Sequence, residues 1–498
     1  MVNVAKVLLV NPPQTFYPGS DPPSGNLPLG LLYIAAVLDK GGYNVEILDA
    51  FMKGSSFTKK ADIVKVGMTF KKIKEEIQRR KPTIVGIANP FTCQVEHAIE
   101  IGNIAKEVDK NILTVVGGPH VSAVPTQFME EAESIDIAVV GEGEYTMLDI
   151  AKFCEGTKNI SGVKGIFYRK NEKIMQNPPR PLIKNLDELP FPAYHLIDME
   201  KYLSPSKIEY RSFKNRAISM ITSRGCPFNC NFCSVHLHMG KTFRAHSVDY
   251  VINHIEHVVN KYKVKTIFFE DDNLTFDLKR FEAICDQIIE KQIKFHWETP
   301  NGIRADYLTR NLLKKMKRSG CQSVFFGIES GDQYVLDNII NKSLNLKDVI
   351  KVAKICKEIG INTAAFYIIG FPGEKKKHML RTVELALRLK KEYDVGMLLH
   401  IATPSLGTRL YKECKEKGFI QGDLTSRAFA EVRQTRGMPL ISTEDFMASE
   451  VKAIASMAVQ RYKKLSLINY FKNPWKTLKT VLNQPKIVLK FIQNLQSA

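Results

Sequence analysis

No uninterrupted apolar run in this 498-residue chain reaches the roughly 18 residues that a membrane-spanning helix needs, so no span is expected. The opening, MVNVAKVLLVNPP, lacks the longer apolar stretch and the small-residue cleavage region of a secretory signal, and cytoplasmic residence follows by default. A disulfide framework is also missing: nine cysteines are too few for one in so long a chain. Six of them (Cys93, Cys154, Cys285, Cys321, Cys356 and Cys414) show no ligand spacing and read as small buried residues. Acidic residues fall short of basic ones, 52 against 71, for a net charge of +19. That excess points to nucleic acid, an anionic membrane surface or an anionic substrate. No aromatic-interleaved basic patch accompanies it, so nucleic acid is not the expected partner.

What the chain does have is alternation. KVLLVNPP, NVEILDA, TIVGIANP, ILTVVGGP and IDIAVVGEGE are short β-branched runs that end in turn residues, with helical stretches between them. This pattern predicts an α/β fold whose N-terminal domain, residues 1–155, is a doubly wound, Rossmann-like parallel sheet. A hairpin, GVKGIFYRKNEKI, and a proline-punctuated linker fill 156–216. A second alternating series starts at AISMITSRGC and continues through KTIFFEDD, FHWETPNGIRA, SVFFGIES, NTAAFYIIGFPGE and VGMLLHIATPS. Six βα units are too few for a complete eightfold barrel, so 217–423 is read as a partial (β/α)6 TIM-like barrel, with its site at the C-terminal ends of the strands. Residues 424–498 form a helical, basic C-terminal region.

At the end of the first barrel strand stands SRGCPFNCNFCSVH, with Cys226, Cys230 and Cys233 inside eight residues. Clustered thiolates select zinc or iron–sulfur. A structural zinc would take His236 as a fourth ligand. A [4Fe–4S] cube held by three cysteines keeps one iron open.

CPFNCNFC resembles the CxxxCxxC signature of radical S-adenosylmethionine (SAM) enzymes, in the same place on the barrel. The resemblance implies that Cys226, Cys230 and Cys233 hold a [4Fe–4S] cluster whose open iron binds S-adenosylmethionine, which an electron then cleaves to a 5′-deoxyadenosyl radical. It further implies that Phe232 lies against the adenine. Asp271, Asp272 and Asn273 in FFEDDNLT bind the methionine amino group, and Arg304 the carboxylate. Glu329 and Ser330 in GIESG contact ribose and carboxylate, and Gly370 and Gly373 in IIGFPGE bring backbone to the adenine. Capping turns and a structural salt bridge are the plain alternatives for the aspartates and for Arg304.

NLPLGLLYIAAVL, GGPHVSA and GEGE together resemble the cobalamin-binding domain of the B12-dependent radical SAM class. That implies cobalamin contacts from Asn11, Leu29, Gly30, Gly117, Gly118, His120, Gly141, Glu142 and Gly143. The loop after the first strand lacks the DxHxxG motif, and DAFMKG has Phe51 where its histidine would stand. Cobalamin is therefore expected without a protein histidine on cobalt, and His120 is expected to pack or hydrogen-bond.

The last stretch, Arg461–Ala498, holds eight Lys and Arg and no acid. Trp475, Leu478, Val481 and Leu482 share one helical face; Ile487, Val488, Phe491, Ile492 and Leu495 share another. This suits either an amphipathic helix on an anionic membrane, peripheral at its inner face, or a helix packed on the barrel. The reading as a whole is a B12-binding radical SAM methyltransferase acting on an unactivated carbon of a small-molecule, lipid-like or otherwise hydrophobic substrate. An external one-electron donor of ferredoxin or flavodoxin type supplies it. The alternatives are an oxidative cyclase reaction without methyl transfer, and a non-catalytic cobalamin- or metal-sensing protein with a zinc knuckle.

Overall fold

The computed structural model describes residues 5–16, 27–52, 58–60, 63–203, 216–422, 424–425, 429 and 439–472. Both amphipathic tail segments lie outside the described residues.

KVLLVN (Lys6–Asn11) is buried along its middle, as an interior parallel strand must be on both faces. Asn44–Asp49 and Ile84–Ala88 flank it, and Leu113–Gly117 and Ile137–Val139 follow beyond the latter. All five run parallel. The winding reverses between Lys6–Asn11 and Ile84–Ala88, which makes the crevice past their carboxyl ends the ligand position of such a sheet. The hairpin Ile166–Lys170 and Lys173–Gln176 pairs antiparallel onto Ile137–Val139, so the sheet has seven strands and runs past residue 155 to Gln176. Its alternating pattern marks a strand pair without saying which edge it joins. A small sheet of Gln14–Phe16, Thr58–Lys60 and Ile63–Val66 had no clear sequence signal.

The six barrel strands are Ala217–Met220, Thr266–Phe269, His296–Ile303, Cys321–Glu329, Asn362–Ile369 and Gly396–Ile401. They pair in chain order, all parallel, and the sheet stays open. Helices between them begin on Ser247, Asp277, Thr309 and Asn345, whose side chains each accept a first-turn N–H that would otherwise be unpaired. Trp297 fills the core, 1% exposed, with its indole N–H on Ser319 O at 3.1 Å.

One continuous apolar core joins the first sheet, the linker, the barrel and the C-terminal helix Ala448–Lys472. Helix Leu29–Lys40 is apolar on nearly every face, because the sheet covers one side and linker residues Ile183, Leu186 and Leu189 the other. Helix Met199–Leu203 lies against the first barrel strand, and Ala448–Lys472 against the last. Val451, Ile454 and Ala458 are buried there, and Tyr462 and Leu465 partly so. The basic stretch starting at Arg461 therefore begins on a helix packed against the barrel. Among the described residues no helix is long and apolar enough to cross a membrane.

Candidate active site at the cysteine loop

The loop carrying the three cysteines is closed at its base by a two-residue antiparallel pair, Ser223–Arg224 with Arg244–Ala245. Gly225 opens it at φ +80°, and a Cβ there would lie 2.4 Å from Thr242 O, so only glycine fits. Its N–H donates to Asp272 Oδ2 at 2.8 Å. Cys226, Cys230 and Cys233 are free and partly buried. Burial pushes the Cys230 thiol up and the Cys233 thiol to about 12, so both stay protonated until a metal takes the place of the proton. His236 is partly buried; burial, with nearby Lys241 and Arg409, lowers its pKa. Among the described residues no three His, Cys, Asp or Glu side chains gather around a single ion. A cube takes each thiolate at a different corner and does not ask for that convergence, so three soft donors on one loop fit a cluster with one open iron.

The turn after the second strand serves the loop itself. Asp271 is 2% exposed. Its Oδ1 accepts from Thr222 N–H (3.0 Å), Thr222 Oγ1 (2.7 Å) and Ser223 Oγ (2.6 Å). Asn273 Nδ2 lies 3.6 Å from Cys226 Sγ. Asp271, Asp272 and Asn273, expected at the methionine amino group, thus support the loop as well, and Asp271 Oδ2 is buried without a partner. Arg304 is likewise engaged. Its guanidinium donates to Asp306 (3.2 and 2.7 Å), Lys342 O (2.8 Å) and Ser343 O (2.9 Å), and stacks 4.1 Å from the Phe228 ring centroid. The salt-bridge alternative holds for it.

Glu329 sits at φ +70°, a left-handed backbone that a non-glycine residue holds only under constraint. Lys342 Nζ donates to its Oε1 at 3.0 Å inside the barrel. Burial opposes the lysine's charge, but the Glu329 carboxylate outweighs it and raises the ammonium pKa. Ser330 is fully buried on Thr382 Oγ1 at 3.1 Å, a packing position. Phe232 lies on Phe371, with centroids 5.6 Å apart. Gly370 (φ +92°) makes room for Val451 of the C-terminal helix, 3.0 Å from where its Cβ would be, whereas Gly373 (φ +86°) meets only Ile339 at 3.6 Å. The Gly370 and Phe371 N–H groups both donate to Glu374 Oε2 (2.7 and 2.8 Å), so the Gly370 amide faces a carboxyl, not an open pocket.

Glu374 is fully buried, and burial lifts its pKa from 4.5 to about 7 against those two hydrogen bonds. Between these values the folded chain keeps a proton that the unfolded chain has released. Stability should therefore fall as pH rises from 4.5 to 7, by up to about 3 kcal/mol. Melting temperatures of the wild type and Glu374→Gln, compared across that window, are expected to diverge with pH. A constant difference would remove the titration at this residue.

On the first domain's side, Asn11 Nδ2 donates to Asp49 Oδ1 at 3.0 Å, Leu29 is core, and Gly30 is exposed with open space beside it. Gly117 ends its strand, and Gly118 (φ +129°) presses on Asn89, whose side-chain oxygen and nitrogen are both buried and unpartnered. Those orphaned atoms at the sheet's switch point suit a polar ligand. His120 Nδ1 meets Thr92 Oγ1 at 3.1 Å, and burial pulls its pKa to about 4; it hydrogen-bonds, as expected. The Gly141 N–H donates to Ser122 Oγ at 3.0 Å, and Gly143 packs on Ile34. Glu142, expected at the cobalamin site, has its carboxylate engaged within the protein. It is 7% exposed and holds Arg224 (2.8 Å) and Arg244 (2.7 Å) at the base of the cysteine loop. Helix Pro119–Ala123 packs on Val235–His238, just past Cys233. Both glycine-rich turns of the first domain thus meet the cysteine loop. Arg224, Arg244, Lys342, Glu374 and Asn89 were missed from the sequence; only the arginines, one on each side of the cysteines, left a hint.

The Radical SAM superfamily model matches residues 220–386, and the B12 binding domain model matches 24–151. An uncharacterized methyltransferase of Pyrococcus horikoshii is 34% identical over 82% of this chain and 83% of its own length. Cytidylyl-2-hydroxyethylphosphonate methyltransferase of Streptomyces wedmorensis is 30% identical over 83% of this chain and 82% of its own. The fold is also that of TsrM, a radical S-adenosylmethionine methyltransferase from Kitasatospora setae. Its structure with cobalamin and a [4Fe–4S] cluster bound aligns with a TM-score of 0.64 at 18% identity, covering 85% of this chain and 80% of that one. The chain belongs to the cobalamin-binding radical SAM methyltransferase family.

Proposed function

We propose that the chain methylates a carbon of a small organic substrate held between the cysteine loop and the GGPH and GEGE turns. The juxtaposition of those turns with the loop carries this reading, because it brings two cofactor sites to one place. When bound, the reduced cluster supplies the electron that cleaves S-adenosylmethionine, and cobalamin carries the methyl group. Cys226, Cys230 and Cys233 hold the cluster, with Asn273 on Cys226 Sγ restraining one corner. Phe232, backed by the buried Phe371, offers an aromatic face to the adenine. The Glu329–Lys342 pair beside Cys230 offers both charges to a zwitterionic methionine group. Asn89, Gly117, Gly118 and the His120 turn line the cobalamin side, and His120 stays on Thr92 and leaves cobalt alone. The protein's contribution is placement and exclusion of water. An external one-electron donor remains part of the proposal; lipid-like substrates and membrane contact rest on the tail outside the described residues.

The test is anaerobic reconstitution with iron and sulfide, then dithionite, S-adenosylmethionine and cobalamin. Both 5′-deoxyadenosine and S-adenosylhomocysteine are expected, and a gain of one CH₂ in the product. Formation of 5′-deoxyadenosine without S-adenosylhomocysteine overturns methyl transfer in favour of an oxidative or ring-forming reaction.

A further inference from the structure

Four buried charges join the base of the cysteine loop to the turn after the first domain's fifth strand. Arg224, two residues before Cys226 and 5% exposed, donates to Glu142 Oε1 at 2.8 Å and to Glu144 Oε1 at 2.6 Å. Its guanidinium also lies 5.3 Å from the Tyr33 ring centroid on helix Leu29–Lys40. Arg244 faces Arg224 across the two-residue pair. It donates to both oxygens of Glu142 (2.7 and 2.9 Å), to Ile183 O (2.8 Å) and to Met239 O (2.7 Å). Glu142 Oε2 takes the Ile183 N–H as well, at 2.8 Å. Two cations and two anions balance, and both guanidinium groups donate to carboxylates. An apolar contact of the same size would let the surfaces slide, whereas forked guanidinium–carboxylate bonds fix direction as well as distance. Buried ion pairs add little stability over apolar replacements, and their best-attested use is registry.

We propose that Arg224, Arg244, Glu142 and Glu144 are positioning residues that couple the two cofactor sites. The clamp ties the loop that holds the cluster to the GEGE turn, so with the cluster site filled the chain binds cobalamin more tightly. This inference rests on the functional reading above. Linkage makes the coupling reciprocal, and typical couplings change affinity about 5- to 150-fold.

The experiment titrates the full chain with hydroxocobalamin, with and without the reconstituted cluster, in wild type, Glu144→Gln and Arg224→Lys. Iron content, far-UV circular dichroism and the electron paramagnetic resonance spectrum of the reduced cluster are recorded alongside. Wild type should bind cobalamin at least about fivefold tighter with the cluster present, and cobalamin should shift the cluster's spectrum. Both variants should keep wild-type iron content while the affinity ratio falls toward one and the spectral shift disappears. Lysine retains the charge at 224 but lacks the planar fork that spans Glu142 and Glu144. Should that variant not fold, Glu144→Gln decides alone, since it keeps the side chain's size and removes one of the clamp's two anions. A wild-type ratio of one, or variants that keep the wild-type ratio, overturns the coupling. A wild-type chain that takes up no cobalamin or no cluster overturns the functional reading instead.

Discussion

Alanine at Cys226, Cys230 and Cys233 together is expected to leave a folded chain that takes up cobalamin yet forms no 5′-deoxyadenosine above background. Iron after reconstitution should fall from about four per chain, the content of one cube, to none. The three thiols add little to the fold. They are only partly buried, and the loop is held by its basal strand pair, by Gly225 on Asp272 and by Asp271 on Thr222 and Ser223. Cys285→Ala is the contrast. That thiol is 1% exposed in the core, so its loss should lower the melting temperature and leave iron unchanged. Iron–sulfur absorbance with S-adenosylmethionine cleavage in the triple variant would refute the ligand assignment.

Gly118→Ala should do the reverse, cutting cobalamin uptake more than about tenfold while iron per chain stays at the wild-type value. At φ +129° an L-residue is already strained, and its Cβ would sit 2.5 Å from Asn89 O and 2.8 Å from Asn89 C. Those are backbone atoms, so no side-chain rotation relieves the clash. The strain alone costs about 1–3 kcal/mol, and the turn has to move away from the switch-point crevice. Equilibrium dialysis with hydroxocobalamin measures the effect. Uptake equal to the wild type would remove Gly118 from the cobalamin site, and parallel loss of iron would show a general folding defect.

These two variants test what was most legible in the amino-acid order. Ligand spacing is local, so Cys226, Cys230 and Cys233 stood out before any fold was known. The barrel and parallel-sheet strands were legible as well, because buried β-branched runs between turn residues leave few alternatives. Side-chain partners were not. Asp271, Asp272 and Arg304 carry charges that suit a zwitterionic ligand, but apart from Asp306 beside the arginine their partners lie on other segments: Thr222 and Gly225 for the aspartates, the Lys342 and Ser343 carbonyls for the arginine. Glu142 showed the same limit most clearly. Its arginines stand 82 and 102 residues away, and no periodicity connects residues so distant. The hairpin at 166–176 was visible as strands, yet its place beside Ile137–Val139 depends on which edge stood free.

The open barrel has a further consequence at its rims. Among the described residues its outermost strands, Ala217–Met220 and Gly396–Ile401, each have only one neighbouring strand, and a bare strand edge invites other chains to add to it. Val451, seated over Gly370, anchors the helix that shields the last strand. Shortening the protein ahead of Ala448 would strip that guard and is expected to leave an aggregation-prone seam, a consequence quite apart from any chemistry.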